Sequence, residues 1–441
     1  MALRDLALAL ILIGGLPIAF KRPFIGALIF AWLGMMSPHR YTWGFAYDFP
    51  WSKLYAAVIL LGVLVTQDEL QWKDSIRRYR LIILLVCWAA LTTLFALEPA
   101  RAFAKYQDVV KIQLMCLVTL ALLHDRRQIV ALMTVIILSV AFYGTKGGIF
   151  TIVHGGIYTV WGPSQTAIRD NNHLAAALVM LLPLLYWLST VPKRWWPRLL
   201  ILGSLILCAV SVFGSHSRGA FVAAAAMAGF FIWKNDRRWI ALPLVAIGIA
   251  AALTIMPEKY WERIGTIETY QQDASAMGRI NTWIAAYRIA NNRITGAGYE
   301  YYSQRTFARY APDPQDVHSA HSIYFQMLGE QGWIGLILFL AFWLSVWFQC
   351  SRTWKRLPPG PQNDSMRLLL RMIQVSLVGY AVGGAFVNIA NWDLPYYLAI
   401  AVFALNRVSC ATSTSKFSAP TQKPERPADS LITFGNVRMH R

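Results

Sequence analysis

Apolar residues along this chain come in runs long enough to cross a lipid bilayer. A spanning helix needs about 17–25 mostly apolar residues, because the hydrocarbon core is roughly 30 Å thick. Clear runs lie at Leu81–Ala96, Val109–Leu123, Val130–Tyr143, Leu174–Ser189, Leu199–Phe213, Ala220–Trp233, Ile240–Ile255, Trp333–Phe348 and Leu368–Val387. Earlier runs are Leu6–Phe20, Phe24–Met36 and Leu54–Val65, and a short last one is Leu394–Leu405. The pattern predicts an all-α integral membrane protein of about 12 (12–13) transmembrane helices. Only Lys21, Arg22 and Pro23 separate the first two runs, which predicts a tight helical hairpin or one interrupted element.

The polar stretches between runs set the orientation. Basic residues recur at every second loop: Lys21–Arg22, Gln67–Arg80, Arg126–Arg127, Lys193–Arg198, Lys234–Arg238 and Arg352–Arg367. Short loops rich in Lys and Arg stay in the cytoplasm. The tail after Arg407 falls on the same side. Thr412–Arg441 has no apolar period and is rich in Pro, Lys, Ser and Thr, so it reads as disordered. The organisation expected is N-terminal transmembrane helices over 1–255, an outer loop with amphipathic helices over 256–320, C-terminal transmembrane helices over 321–406, and a disordered cytoplasmic tail over 407–441. No Ala-x-Ala follows the first apolar run, so a cleaved signal peptide is not expected.

Composition agrees. The chain is 56% hydrophobic and 14% charged, which excludes disorder as a whole. Its net charge of +19 would suit a nucleic-acid binder. Most of that excess sits in the alternate short loops, where topology accounts for it, so no nucleic-acid partner is expected. Cys87, Cys116, Cys208, Cys350 and Cys410 form no CxxC pair and read as small apolar residues. No P-loop, GxGxxG before a helix, or HExxH occurs.

One outer loop stands apart. Pro257 to Ala320 spans 64 residues, with seven Lys/Arg balancing seven Asp/Glu. Ile280, Trp283, Ile284 and Tyr287 recur at i, i+3, i+4, i+7, predicting an amphipathic helix from about Arg279 to Asn291. Gly296-Ala297-Gly298 predicts a turn with close backbone approach. The next helix is predicted from near Ser319 through Gln349, with Ser319 as N-cap and a kink at Gly329 or Gly332. His321 then sits in its first turn, facing the outer side. A helix N-terminus and nearby arginines disfavour imidazolium, and a neutral imidazole can act as general base. A solvated loop histidine is the plainer alternative, and His318 is a rival at the same place. Tyr324, Phe325 and Leu328 share the face of His321, whereas Glu330 faces away.

Arg218 lies in a short turn on the same outer side, and an Arg there either snorkels or meets an anion. Its guanidinium fork matches phosphate oxygens. Arg279 opens the amphipathic helix, a natural phosphate position. Arg101, Lys105 and Lys111 flank another outer helix end, and Asp170-Asn171-Asn172 reads as a helix cap.

Taken together, these residues resemble the O-antigen ligase family, within the wider group that includes O-antigen polymerases. Three segments carry the resemblance: Ser217-Arg218-Gly219; Gly278-Arg279-Ile280-Asn281-Thr282-Trp283 followed by Thr295-Gly296-Ala297-Gly298; and His321-Ser322-Ile323-Tyr324-Phe325-Gln326-Met327-Leu328-Gly329-Glu330-Gln331-Gly332. Pro38-His39-Arg40 and its flanks resemble the subgroup of exosortase-associated O-glycosylation ligases. The resemblance implies a multi-span C-class glycosyltransferase of the bacterial inner membrane with a periplasmic active site. Such enzymes need no metal or other cofactor. The implied partners are an undecaprenyl-diphosphate-linked glycan donor, a lipid A–core acceptor and membrane lipids. His321 would be the catalytic base, and Arg218 and Arg279 the diphosphate ligands. Arg101, Lys105, His318 and Tyr324 are expected as secondary substrate contacts. A polymerase or a protein O-glycosylation ligase would use the same chemistry on another acceptor. The acid-poor spans argue against a secondary transporter.

Overall fold

A computed structural model describes residues 3–66, 70–234 and 274–417. Every helix or strand among them is helical. In chain order the α-helices are α1 (Leu3–Lys21), α2 (Pro23–Met36), α3 (Phe45–Asp48), α4 (Trp51–Thr66), α5 (Trp72–Leu94), α6 (Pro99–Leu122), α7 (Arg126–Val153), α8 (Asn171–Ser189), α9 (Trp195–Gly214) and α10 (Arg218–Lys234). Then follow α11 (Ala274–Asn292), α12 (Gln304–Tyr310), α13 (Ile323–Arg356), α14 (Asp364–Gly383) and α15 (Asp393–Phe417). Of the two options for the start of the chain, a tight hairpin is realised, with only Arg22 between α1 and α2. The run Ile240–Ile255 and the tail beyond Phe417 lie outside the described residues. α15 itself continues twelve residues past the end of its apolar run at Leu405.

Six of the described helices are long and apolar enough to cross a membrane: α1, α7, α8, α9, α13, and α14 with the short turn after it. Two more, α2 and the α4 segment, are apolar but shorter. Ile240–Ile255, one of the expected 12–13, lies outside the described residues, and two others fall short for a physical reason. α5 and α6 have the length, but α5 opens with Lys73, Asp74, Arg77, Arg78 and Arg80, and α6 with Arg101, Lys105, Asp108 and Lys111. The helices expose large apolar side chains outward, among them Leu10 and Ile11 on α1, Leu200 on α9, and Ile337 and Leu344 on α13. That surface suits lipid, and the protein is an α-helical membrane protein.

The core is built from α8, α13, α14 and α15, with Trp187, Phe339, Phe342 and Phe403 almost wholly buried. A second core gathers α1, α2 and α4 against α6. Lipid tails are as apolar as the helices, so packing and interhelical hydrogen bonds hold such a bundle together. Trp187 Nε1 donates to the Ser365 carbonyl at 2.9 Å, and Ser376 Oγ to that of Met180 at 2.7 Å. Each such bond is worth about 1 kcal/mol. Cys116, Cys208 and Cys350 are buried as expected, but Cys87 is exposed on the outer face of α5.

Loops sort to the two ends. At one end, Leu97 N donates to Ala297 O, Val160 N to Gly214 O, and Ser322 N to the Asn388 side chain. At the other, Arg126 donates to Gln362 O and Arg356 meets Cys410. Two of the alternate loops read from charge, those at Arg126 and at 352–367, therefore share an end in space.

Candidate active site

Two elements set the site: α11, and a strap over 313–320 that leads into α13. The signature Gly278–Trp283 spends most of its side chains on holding that strap. Asn281 Nδ2 donates to the carbonyls of Asp313 at 2.8 Å and Asp316 at 2.9 Å, and its Oδ1 accepts from Asp313 N at 2.8 Å. Thr282 Oγ1 donates to His318 O at 3.2 Å. Trp283 Nε1 donates to Ala320 O at 2.7 Å, and its ring stacks on Phe325 with centroids 4.8 Å apart. Gly278 has no room for a side chain: a Cβ there would lie 2.6 Å from the His318 ring. Arg279 shares the α11 face of Thr282 and Trp283, and so faces the end of the strap.

These bonds move the start of α13. Ser319 is not its N-cap; the helix begins at Ile323, with Ser322 in the cap position. Trp283 occupies the Ala320 carbonyl, which a helix begun at Ser319 would need for its own ladder. His321 therefore precedes the helix rather than sitting in its first turn. It has a left-handed backbone, φ 43°. Such a conformation costs a non-glycine residue about 1–3 kcal/mol, and it concentrates at functional sites.

His321 is half-buried, and its Nδ1 has no hydrogen-bond partner among the described residues. Burial, and next the Arg279 guanidinium, hold its pKa down at about 4. At neutral pH it is an uncharged proton acceptor. Arg279 thus lies in electrostatic contact with His321. It does not open its helix, which the structure describes from Ala274, so its guanidinium and not a helix terminus supplies positive charge. Arg218 does open its helix, α10. Packing brings its end to His321 through residues 384–388: Gly219 lies against Phe386, Gly384 against Ile323, and Asn388 accepts from Ser322 N at 3.1 Å.

The secondary candidates divide. His318 neighbours His321 and pairs its Nε2 with Asp316 at 2.7 Å. Tyr324 donates its hydroxyl to Ala381 O at 2.7 Å, tying α13 to α14. Arg101 and Lys105 turn elsewhere, Arg101 to Tyr302 O at 3.1 Å and Lys105 to Glu300 at 3.8 Å. They brace the loop after α11. One residue was not anticipated: His173, on the first turn of α8, has its ring centroid 6.3 Å from that of His321. Its only sequence signal was adjacency to the Asp170 cap.

Of the two kink positions expected in α13, Gly332 is the one used, with φ 66° and ψ −171°. The carbonyls of Gly329 and Glu330 lose their helical partners there and accept instead from Ala297 N and Gly298 N, each at 2.9 Å. Trp88 Nε1 donates to Gln331 O at 2.8 Å. An apolar cavity of about 210 Å³ opens between α13 and α14, lined by Ile323, Tyr324, Phe339, Trp343 and Trp347 of α13 and by Leu377, Val378, Tyr380 and Ala381 of α14.

This end thus holds a neutral histidine, cationic side chains and an apolar groove. Residues 203–340, which contain Arg218, Arg279 and His321, match the O-antigen ligase family. Over that segment the chain is O-antigen ligase-like. That match supports a ligase- or polymerase-like function. Residues 3–192, which include Arg101, Lys105 and His173, match a family of unknown function. No curated protein matches the chain.

Proposed function

We propose that this O-antigen ligase-like chain transfers a preassembled glycan from undecaprenyl diphosphate to a sugar hydroxyl of lipid A–core. The observation that carries the reading is the meeting of His321 and Arg279 at one end of the bundle, inside the ligase-family domain. In this reading the chain crosses the inner membrane 12–13 times, with this end periplasmic and the basic end and tail cytoplasmic.

The leaving group is a lipid diphosphate, which departs well once its charge is neutralised. Arg218 and Arg279 supply that neutralisation without a metal. The acceptor hydroxyl gives its proton to His321. Its oxygen bonds to the anomeric carbon opposite the departing diphosphate, so the centre inverts. The groove beside Ile323 is apolar and takes the isoprenoid chain of the donor.

Purified protein in proteoliposomes, supplied with undecaprenyl-diphosphate glycan and lipid A–core in EDTA, should form long-chain lipopolysaccharide. Absence of product with Mg²⁺ restored as well would sink the reading for that acceptor. In cells, loss of the protein should leave bare core; single-repeat caps would point to a polymerase instead.

A further inference from the structure

A base held so far below neutrality binds its proton weakly, and general-base catalysis gains when the proton has somewhere to go. The structure offers a place. Asp170 caps α8: its Oδ1 accepts from Asn172 N at 2.7 Å and His173 N at 3.3 Å. The same oxygen lies 3.2 Å from His173 Nδ1. That contact fixes the ring with its hydrogen on Nδ1 and leaves Nε2 as acceptor. Burial alone would raise the Asp170 carboxyl, but the His173 contact and the backbone N–H groups outweigh it and hold it well below the usual range. The His173 ring stands 6.3 Å from that of His321, with 59° between their planes. One bridging water or substrate hydroxyl spans such a gap. The charged and titratable groups facing His321 are Arg279 from α11, His318 from the strap, and Asp170 and His173 from α8.

We propose that Asp170 and His173 form a proton relay, in which His173 takes the acceptor proton on from His321 and Asp170 holds the resulting imidazolium in place. The relay rests on the transfer reading above. The acceptor O–H gives its proton to His321, and its oxygen bonds to the anomeric carbon. The anomeric C–O bond breaks, and its electron pair leaves on the diphosphate. The His321 imidazolium then gives a proton to His173 Nε2 beside the Asp170 carboxylate. Asp170 and His173 are positioning residues, acting through His321. Both lie in the part of the chain that matches a family of unknown function, which thereby gains a share in the chemistry.

A helix cap alone would account for Asp170, but a cap requires only an acceptor, and Asn serves as well as Asp. Asp170→Asn therefore keeps the cap and removes the carboxylate. In proteoliposomes with undecaprenyl-diphosphate glycan and a lipid A–core or protein acceptor, Asp170→Asn and His173→Gln should each lower kcat on the order of 10²-fold at unchanged donor KM. The thermal midpoint of Asp170→Asn should stay at the wild-type value. In His173→Gln the acidic limb of kcat/KM should move to higher pH, because His173 is among the neighbours that lower the His321 pKa. Wild-type kcat in both variants would overturn the relay, as would a loss of rate with an unmoved pH profile. No transfer by the wild-type protein would overturn the ligase reading and the relay together; an active wild type beside unaffected variants overturns the relay alone.

Discussion

The two ends of the bundle use similar residues in opposite ways. At the basic end, arginines tie short loops together. Arg126 donates to Gln362 O at 2.8 Å, Arg367 to Trp354 O at 2.9 Å and Arg407 to Leu120 O at 2.8 Å, while Asp74 pairs with Arg77 and Arg78. Among the described residues there, only Gly360 has a positive φ. At the other end lie all five described non-glycine residues with positive φ: Ser37, Gln165, His216, Glu300 and His321. Each stores strain that the surrounding packing must offset. Among the described residues, charge thus gathers at one end, and strained backbone with a neutral histidine at the other.

The hardest test of that division is His321→Ala. It should lower transfer in proteoliposomes on the order of 10³-fold, the range for loss of a general base. A rate near wild type would erase the distinction between the ends. Next comes Arg279→Ala, expected to cost on the order of 10²-fold in kcat through lost stabilisation of the leaving diphosphate. The pH profile sharpens the point. Burial and then Arg279 hold His321 at about 4, below the ordinary 6.5, so the base stays neutral until pH falls that far. The wild-type acidic limb of kcat/KM should lie near 4, and Arg279→Ala should move it up. The corresponding stability contribution is fully present above 6.5 and is lost as pH falls toward 4. A limb near 6.5 in the wild type would contradict the buried setting of His321.

Gly332→Ala comes third. It forces a side chain onto a left-handed residue, with its Cβ 2.4 Å from Ile294 O. Thermal unfolding should report a loss of about 1–3 kcal/mol. An unchanged midpoint would mean that the kink is not strained. Smallest is Arg126→Ala at the basic end, which should leave transfer unchanged and stability within about 0.5 kcal/mol.

Much of the fold was legible because an apolar run of bilayer length is rarely stable anywhere but in a membrane. The candidate residues Arg218, Arg279 and His321 were legible through their likeness to the family's motifs. What surrounds them was not, since it depends on bonds between segments distant in sequence. The first turn of α13 was misplaced by three residues because Trp283, far upstream, occupies the Ala320 carbonyl. Gly329 and Gly332 looked equivalent until Ala297 and Gly298 supplied partners to the freed carbonyls. The contacts of Arg101 and Lys105 with a loop carbonyl and carboxylate were equally hidden. His173 left no mark beyond its cap.

The stitching at Gly332 also limits how substrates reach His321. The loop after α11 cannot lift away as a hinged cover, because peeling Ala297 and Gly298 from α13 would strand the carbonyls of Gly329 and Glu330 where the helix has no donors for them. Loop and broken helix travel as one piece. In the proposed transfer, the flank where α13 and α14 part around the groove beside Ile323 gives a lipid-borne donor a sideways path from the bilayer.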